Sequence, residues 1–400
     1  MKKNISLLVL NYIKFFAKLQ LQKIRLIQKL KHRQLDIVGI TGSAGKTSTL
    51  LACETVLSPF LKVKTNDGYN SESGLPLSIV GLKIKNYSLF SWAKILLLSP
   101  LKILTNWQGF DVLILEMGVD SPTWPHNMDY LLSIVKPNIS IFLNVSSVHL
   151  INFKNLDQIA YEKSKLINQS KTAIINNQDK LVKQYSQNKN IINLVPTKIK
   201  ITNFYLPDIY QISFGAALSL ARIFNINYND AIKNLQTNFS LPYSRSSILN
   251  GIKNTTIIDS SYNSSPIACS EMLKFLDTFK TKKIAILGDM RELGSSTESE
   301  HQKIYQQALK IADTIISIGP ETKKYFGDKS QKFDYWWQAA EYLKEQLIGN
   351  ETILVKGSQT NIYLEELVKS ILQNPPDSSK LCRQSAWWLK TKQNFEDSHK

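Results

Sequence analysis

The run TGSAGKTS, residues 41–48, has the composition of a loop that holds phosphate groups. Gly42 and Gly45 leave backbone N–H groups accessible to phosphate oxygens, because a side chain at either position would block their approach. Lys46 can neutralise a terminal phosphate, and the hydroxyl of Thr47 is an oxygen ligand of the kind that Mg²⁺ prefers. The sequence therefore predicts a nucleotide site with contacts from the whole run: Thr41, Gly42, Ser43, Ala44, Gly45, Lys46, Thr47 and Ser48.

A strand before this loop and a helix after it would hold these residues in place. Residues 35–40, LDIVGI, are a short β-rich apolar run, and the pattern becomes helical after Lys46. The amino end of that helix contributes the positive end of its dipole to the site. Ile40 stands where the common GxxxxGK pattern has its first glycine. The order of strand, glycine loop and helix is nevertheless the one that phosphate loops require.

Two later apolar runs deliver further polar side chains. Residues 111–116, DVLILE, end in Glu116, and residues 139–145, ISIFLNV, contain Asn144 and precede His149. The carboxyl ends of parallel strands face the ligand crevice of an open α/β sheet, so we expect these side chains near the phosphate loop. There Glu116 can hold Mg²⁺ on a triphosphate.

These motifs resemble those of the Mur ligases, which build the peptide stem of bacterial peptidoglycan, and of their folylpolyglutamate synthetase relatives. Family landmarks follow the phosphate loop in order: TNDGYNSESGLP (65–76), DVLILEMGVD (111–120), KPNISIFLNVSSVHL (136–150) and IAYEKSKLI (159–167). The resemblance implies that ATP binds with two Mg²⁺ ions, and that Asn144 lies at the nucleotide. It also implies a metal set of Thr47, Glu116, His149 and Lys163, with Lys163 converted to a carbamate by CO₂.

Carbamylation of Lys163 has a physical rationale. An ammonium would repel magnesium and phosphate-bound cations, whereas a carbamate is an anion with two oxygens that can bridge metal ions. Because CO₂ reacts with a neutral amine, we expect burial or neighbouring cations to lower the pKa of Lys163. Lys165 lies on the same predicted helix and would point elsewhere. The competing interpretation of Lys163 is an ordinary solvent-exposed lysine.

The second half resembles the branch of the family that adds D-alanyl-D-alanine to a muramoyl tripeptide. Its landmarks are LPYSRSSI (241–248), TTIIDSSYNSSP (255–266), KKIAILGDMRELG (282–294) and ILVKGS (353–358). The resemblance implies that Arg245 lies near the phosphates, Asp259 on the ribose hydroxyls, and Tyr262 and Asn263 beside the base. The branch usually has a glycine where this sequence has Ser244, and a second aspartate at Ser260.

We therefore expect an α/β protein with a central P-loop ATPase domain, which has a mostly parallel sheet, and a C-terminal Rossmann-like α/β domain. A short amphipathic N-terminal helix precedes them. The expected boundaries are 1–34 for this helical segment, 35–244 for the central domain, 245–373 for the C-terminal domain and 374–400 for a tail. The UDP-sugar-binding domain that usually precedes the phosphate loop in the family has no recognisable counterpart in residues 1–34.

Residues 5–30 and 90–107 combine apolar side chains with lysines. Neither contains the ~18 uncharged apolar residues that a membrane-spanning helix needs. In residues 5–30 we expect an amphipathic helix with five side chains on or near one face: Leu8, Tyr12, Phe15, Phe16 and Leu19. Such a helix either lies on an anionic membrane or docks on the rest of the protein, and the sequence leaves both open.

The amino-acid composition of the chain restricts its possible binding partners only in part. With 49 Lys and Arg against 32 Asp and Glu, the net charge of +17 attracts nucleotides, nucleic acids, acidic lipids or phosphorylated substrates. No nucleic-acid-binding motif accompanies this charge, so we expect no nucleic-acid partner. Three cysteines without close spacing argue against disulfides and favour a reducing cytoplasm. We expect a cytoplasmic monomer, with contact at the inner face of the membrane left open.

The resemblance implies an ATP-dependent, amide-forming ligase. A muramoyl-peptide carboxylate would attack the γ-phosphate to give an acyl phosphate, which the amine of D-Ala-D-Ala or a similar amino acid would then attack. Without a UDP-binding domain, the acceptor could instead be lipid-linked or a different amino-acid polymer such as polyglutamate. A nucleotide-binding scaffold without turnover is the alternative from another class. Glu116, His149 and Lys163 argue against it, because a scaffold needs no set of metal ligands.

Overall fold

The computed structural model describes residues 7–66, 68–84, 88–147, 151–201, 206–240, 243–358 and 361–399. The chain divides into two compact units. The first comprises Met1–Val145, Asn152–Tyr205 and Tyr210–Phe239, and the second comprises Ser146–Ile151, Leu206–Ile209 and Ser240–Lys400. Each unit is built on one six-stranded sheet with helices around it, so the expected α/β fold class is confirmed.

In the first unit, the described neighbouring strands are all parallel. They lie in the order β2, β3, β1, β4, β5, β6. Their bounds are β1 Asp36–Thr41, β2 Val63–Thr65, β3 Val112–Glu116, β4 Ile139–Phe142, β5 Thr172–Ile175 and β6 Ile191–Asn193. Every residue of β3 and β4 is buried. Strands covered on both faces have nearly continuous apolar sequences, which is why these runs were recognisable.

In the second unit, the strands lie in the order β11, β10, β9, β12, β8, β7. Only β7 is antiparallel to its neighbour among the described strands of this sheet. Their bounds are β7 Ser247–Gly251, β8 Thr255–Ser260, β9 Lys283–Gly288, β10 Thr314–Ile318, β11 Ser330–Phe333 and β12 Thr352–Lys356. Aliphatic side chains from β8, β9, β10 and β12 form the core of this unit.

The helices connect and cover these strands. Their bounds are α1 Leu7–Leu30, α2 Lys46–Leu57, α3 Gly74–Val80, α4 Leu89–Thr105, α5 Met128–Ile134, α6 Leu156–Gln169, α7 Lys180–Tyr185, α8 Asp208–Ile223, α9 Tyr228–Asn238, α10 Pro266–Asp277, α11 Thr297–Ile311, α12 Pro320–Tyr325, α13 Trp336–Gln346, α14 Leu364–Ser370 and α15 Ala386–Asp397. Parallel strands need such crossovers, because a tight turn cannot return the chain to the same end of the sheet.

The expected N-terminal helix is present as α1, and it packs on the first unit. Residues such as Ile13, Ala17 and Ile24 are buried, and the helix contacts α3, α4 and α5. On the predicted face, Leu8 and Phe15 are 80% and 56% exposed, whereas Tyr12, Phe16 and Leu19 are half-buried. The hydroxyl of Tyr12 donates to the carbonyl of Leu96 in α4 at 2.8 Å. α1 therefore docks on the first unit and leaves some apolar side chains of the predicted face exposed.

In the described part of the chain, no helix is both long and apolar enough to cross a membrane. The three cysteines, Cys53, Cys269 and Cys382, are all buried free thiols. Burial raises the pKa of the Cys269 thiol to about 11. The thiol therefore stays protonated and packs in the interior of the second unit, where it does not act as a nucleophile.

Candidate active site

The phosphate loop has the backbone geometry that its sequence predicted. β1 ends at Thr41, and α2 begins at Lys46 directly after Gly45, whose φ of 82° is left-handed. A residue with a side chain would be strained there, so glycine is required by the backbone itself. The backbone N–H groups at the start of α2 consequently lie at the carboxyl end of β1, where they can bind an anion.

Asn144 braces this loop from the neighbouring strand. Its side-chain oxygen accepts from the backbone N–H of Ala44 at 2.8 Å, and its amide nitrogen donates to the carbonyl of Ala44 at 3.1 Å. Its own carbonyl accepts from the N–H of Ser43 at 3.0 Å. Asn144 therefore fixes the loop conformation through three hydrogen bonds. Direct contact between Asn144 and a nucleotide stays a prediction.

Two lysine side chains donate to one carbonyl oxygen at the loop. The Nζ atom of Lys46 lies 2.7 Å from the carbonyl oxygen of Gly42, and the Nζ atom of Lys163 lies 3.4 Å from the same oxygen. Lys46 is in the first turn of α2, whereas Lys163 extends from α6 and is only 2% exposed. The fold thus brings these two side chains to the same point.

This arrangement lowers the pKa of Lys163 to about 7. Burial is the main cause and the positive charge of Lys46 is the second, while the negative charges of Asp120 and Glu162 oppose the shift. Near neutral pH, a substantial fraction of Lys163 is therefore a neutral amine. The alternative interpretation of Lys163 as a solvent-exposed lysine is wrong.

Lys165 provides an internal comparison on the same helix. Its Nζ atom lies 2.6 Å from a carboxylate oxygen of Asp129 and 2.7 Å from one of Glu162. Burial lowers the pKa of Lys165, but these hydrogen bonds outweigh it and raise the pKa overall. Two lysines only two residues apart therefore have opposite electrostatic environments, and Lys165 points away from the loop as expected.

Glu116 is held at the end of β3, opposite Ile40 in the register with β1. Its backbone N–H and carbonyl both bond to the side chain of Asn66, each at 3.0 Å. Asn70 donates to Oε2 of Glu116 at 3.2 Å. The other carboxylate oxygen, Oε1, is buried and has no hydrogen-bond partner among the described residues. A buried, unpartnered carboxylate oxygen fits a site for a hard cation such as Mg²⁺.

Two predicted metal ligands remain, Thr47 and His149. Thr47 is half-buried in the first turn of α2. His149 lies outside the described residues. Within the described ranges, no group of three or more His, Cys, Asp or Glu side chains could hold a metal ion. Glu116 and the hydroxyl of Thr47 offer oxygen ligands of the kind that Mg²⁺ prefers. The metal set of Thr47, Glu116, His149 and Lys163 stays a prediction.

In the second unit, Asp259 is fully buried at the end of β8. It accepts hydrogen bonds from the hydroxyl of Ser244 at 2.6 Å and from the N–H of Ser261 at 3.0 Å. Burial raises its pKa above the ordinary value, although these hydrogen bonds oppose the shift. Asp259 thus organises the loop after β8 in this structure. Its contact with ribose hydroxyls stays a prediction.

The other predicted nucleotide residues cluster after this strand. The guanidinium carbon of Arg245 lies 4.1 Å from the ring centroid of Tyr262, which is a favourable cation–π distance. Asn263 is exposed, and its side chain accepts from the N–H of Ser264 at 2.8 Å. Lys356 is buried and donates to the carbonyls of Ser260 and Asn263. Burial lowers the pKa of Lys356 to about 8.

Sequence reasoning missed Arg383, which lies in the expected tail. Its side chain is buried, pairs with the buried carboxylate of Glu365 at 3.1 Å and donates to the carbonyls of Ser261 and Tyr262. The tail therefore fixes the backbone of the loop that carries Tyr262. No motif surrounds Arg383 in the sequence, and the only available signal was one charged residue beside the apolar pair Leu381 and Cys382.

Two protein-family models match the chain. The Mur ligase middle domain matches residues 40–239, and the Mur ligase glutamate ligase domain matches residues 244–359. Curated relatives of this chain carry the name UDP-N-acetylmuramoyl-tripeptide--D-alanyl-D-alanine ligase. The one from Buchnera aphidicola is 26% identical and aligns over 88% of this chain and 79% of its own length. The one from Bacillus subtilis is 22% identical over 85% of this chain and 76% of its own length.

A solved structure supports the same fold. The MurF ligase from Thermotoga maritima, in complex with ADP, superposes with a TM-score of 0.72 at 23% sequence identity. The superposition covers 90% of this chain and 83% of that ligase. At this identity the similarity establishes the fold alone.

We predict that Lys163 titrates near pH 7 in CO₂-free buffer, because burial and Lys46 both disfavour its ammonium form. NMR of lysine side chains, assigned with Lys163→Met, measures this pKa. Replacing Lys46 with Met removes the neighbouring positive charge and should raise the pKa of Lys163, whereas Lys165→Met should leave it lowered. Titration of Lys163 near its ordinary value of 10.5 would contradict the described geometry.

Proposed function

Since the chain belongs to the Mur ligase family, we propose that it is an ATP-dependent ligase of peptidoglycan precursor synthesis. It joins D-Ala-D-Ala, or a similar amino acid or dipeptide, to the carboxylate of a muramoyl peptide. The names of the relatives support this reaction. The observation that carries it is the pair of lysines, Lys46 and Lys163, that donate to the Gly42 carbonyl at the phosphate loop.

Amide formation requires that a carboxylate oxygen become a leaving group. The acceptor carboxylate attacks the γ-phosphorus of ATP, the bond to the bridging oxygen breaks, and ADP leaves. The amine of the second substrate then attacks the carbonyl carbon of the acyl phosphate, releases inorganic phosphate and loses one proton. Lys46 and the N–H groups at the start of α2 stabilise the negative charge on the phosphates during the first step.

Glu116 and Thr47, together with a carbamate on Lys163, would hold two Mg²⁺ ions, which when bound neutralise charge on the phosphates. Oxygen Oε1 of Glu116 supports this role, because it is buried and lacks a partner among the described residues. The lowered pKa of Lys163 supports carbamylation. A C–N bond forms between Nζ and CO₂, and the proton lost from nitrogen passes to solvent. The predicted roles of His149, Asn144, Arg245, Asp259, Tyr262 and Asn263 belong to the same proposal.

A scaffold without turnover explains these features poorly. Holding a nucleotide requires the phosphate loop, but it requires neither an unpartnered buried carboxylate oxygen nor a buried lysine beside Lys46. Both groups carry a free-energy cost unless a ligand compensates them. Their presence favours a protein that carries out chemistry on the bound nucleotide.

We also propose that the protein is a monomer with peripheral contact to an anionic membrane. α1 and α4 pack on each other and contain seven basic and no acidic side chains. Large apolar side chains on these helices are exposed: Leu7, Leu8, Phe15, Leu26, Leu30, Leu89, Phe90, Leu97, Leu101 and Leu104. A basic helix pair with exposed apolar groups has the composition of an interfacial membrane contact.

We expect ADP release from ATP and a muramoyl tripeptide to depend on D-Ala-D-Ala, because the amine of the dipeptide consumes the acyl phosphate and allows another turnover. A coupled assay of ADP with panels of acceptors and amines measures this dependence. D-Ala-D-Ala should increase product formation more than L-glutamate does. Equal rates with and without the dipeptide would remove it as the second substrate, and a preference for glutamate would favour a polyglutamate-type ligase.

Replacing Lys163 with Ala should reduce ligase turnover by about 100-fold or more, since a charge-stabilising group is lost. A short carboxylate such as acetate should restore part of the activity of Lys163→Ala by supplying anionic oxygens in the vacated space. Lys165→Ala is the matched control on the same helix and should retain most of the turnover. Full activity of Lys163→Ala would contradict a catalytic carbamate and favour the scaffold.

The membrane proposal predicts cosedimentation of the full chain with phosphatidylglycerol vesicles, but not with neutral phosphatidylcholine vesicles. Leu97→Ser combined with Leu101→Ser should weaken cosedimentation, because these side chains are exposed on α4. Phe60→Ser, which changes an exposed apolar residue outside α1 and α4, is the control. Sedimentation velocity without vesicles should show a monomer. Equal binding of both variants to anionic vesicles would exclude α4 as the contact.

A further inference from the structure

A cavity of about 370 Å³ lies within the first unit, lined by α1, α3, α4, β2 and the chain that follows α4. We call it the α1–α4 cavity. Its lining includes no residue of the phosphate loop at positions 41–48. The volume falls within the range of small-molecule sites, about 300–1,000 Å³. The cavity is therefore large enough for a ligand of nucleotide size and is distinct from the ATP loop.

The cavity is positively charged. Lys64, Lys83 and Lys102 line it, and its described lining residues include no carboxylate. Lysine side chains that line one cavity attract anions, and phosphate oxygens can accept several hydrogen bonds at once. The side chains of Asn106 and Gln108 add neutral polar groups to the same wall. This lining fits a multiply charged anion better than an apolar or cationic ligand.

A buried polar atom also lacks a partner at this cavity. Gln20 of α1 lines it and is fully buried. Its amide nitrogen donates to the carbonyl of Asn106 at 3.1 Å, but its side-chain oxygen has no hydrogen-bond partner among the described residues. A buried acceptor without a donor costs free energy. A ligand with a hydroxyl or N–H group beside its anionic part would satisfy it, as a sugar phosphate or a nucleotide does.

An aromatic surface lies at the same cavity. Trp107 lines it and remains well exposed. The Nζ atom of Lys23 lies 3.8 Å from the centroid of a Trp107 ring, which places a further positive charge at this side chain. Exposed indole beside positive charge suits a planar base or a sugar ring that carries phosphate.

The cavity is structurally connected to the reaction centre. Asn66 and Tyr69 line it, and the side chain of Asn66 bonds to both backbone polar groups of Glu116. The same loop therefore forms a wall of the cavity and fixes the carboxylate proposed to hold Mg²⁺. A ligand in the cavity would contact the segment that positions Glu116.

We infer that the α1–α4 cavity binds the diphosphate group that carries the acceptor substrate. The inference rests on the proposed ligase function and supplies a binding surface for the acceptor substrate. The diphosphate could come from a nucleoside diphosphate or from a polyprenyl diphosphate. Both share the charged group that the lysines recognise, and exposed α4 residues such as Leu101 lie close in sequence to Lys102 for the lipid form.

Titration calorimetry on the full chain tests this inference with UDP, inorganic pyrophosphate and farnesyl diphosphate as probes. Uridine and farnesol serve as controls without phosphate. Saturation with a non-hydrolysable ATP analogue and Mg²⁺ occupies the phosphate loop beforehand. We expect binding of the diphosphates to persist under these conditions. Tighter binding of UDP than of farnesyl diphosphate would identify a nucleotide-linked acceptor, and the reverse order a lipid-linked one.

The variant Lys64→Gln with Lys102→Gln should weaken diphosphate binding at least about tenfold, equivalent to about 1.4 kcal/mol. Lys94→Gln, which changes an exposed α4 lysine outside the cavity lining, should leave binding within about twofold. In the ligase assay, the double variant should raise the KM for the acceptor but not for ATP. Thermal unfolding and ATP-analogue binding verify that the variant is folded.

Unchanged diphosphate binding by the double variant would overturn the inference, as would complete loss of binding once the ATP analogue saturates the phosphate loop. These results are separable from failure of the proposed function. If diphosphates bind through Lys64 and Lys102 but no ligase activity is found with any acceptor, the cavity stands as a diphosphate site and the ligase proposal fails alone.

Discussion

The electrostatics of the phosphate loop depend on two lysine side chains that donate to the carbonyl oxygen of Gly42. Lys46 and Lys163 both donate to this oxygen, and Lys163 is almost completely buried. Two ammonium ions cannot be held close together out of water at low cost. The structure relieves this repulsion by lowering the pKa of Lys163, and an arriving polyanion would relieve it further. The same repulsion favours the binding of phosphate, and the neutral amine of Lys163 is the form that the proposed reaction with CO₂ requires.

The parallel sheet makes this convergence possible. β1, β3 and β4 are neighbours, and their carboxyl ends carry the phosphate loop, Glu116 and Asn144. Crossover helices return the chain to the opposite end of the sheet, so every strand presents its last residues at the same edge. Asn144 and Asn66 then fix the loop and Glu116 through paired hydrogen bonds. The strands and the side-chain amides of Asn66 and Asn144 therefore position Glu116 and the phosphate loop.

Part of this architecture could be predicted from the sequence, because its signals are local. Buried parallel strands appear as apolar runs, and the glycines of the phosphate loop are required by the backbone. The near-neutral pKa of Lys163 could only be an expectation, since it depends on the covering of α6 and on Lys46, which is far away in the sequence. Arg383 was missed because its partners, Ser261, Tyr262 and Glu365, become its neighbours only in the folded unit.

The docking face of α1 and the α1–α4 cavity could not be predicted for a related reason. Apolar side chains lie on both the buried and the exposed sides of α1, so its periodicity does not specify the docking face. The cavity joins Gln20, Lys64 and Lys102 from three separate segments, and no local sequence signal relates these segments to one another. The composition of the chain shows an excess of positive charge. Which lysines line the cavity depends on tertiary packing.

A crystal structure of the full chain with a non-hydrolysable ATP analogue, Mg²⁺ and bicarbonate would decide whether Lys163 is a metal-binding carbamate. We expect electron density extending beyond the Nζ atom of Lys163, with the carbamate oxygens and Oε1 of Glu116 bound to metal at the terminal phosphate. An unmodified Lys163 directed away from the phosphates, with Glu116 remote from every metal ion, would contradict it.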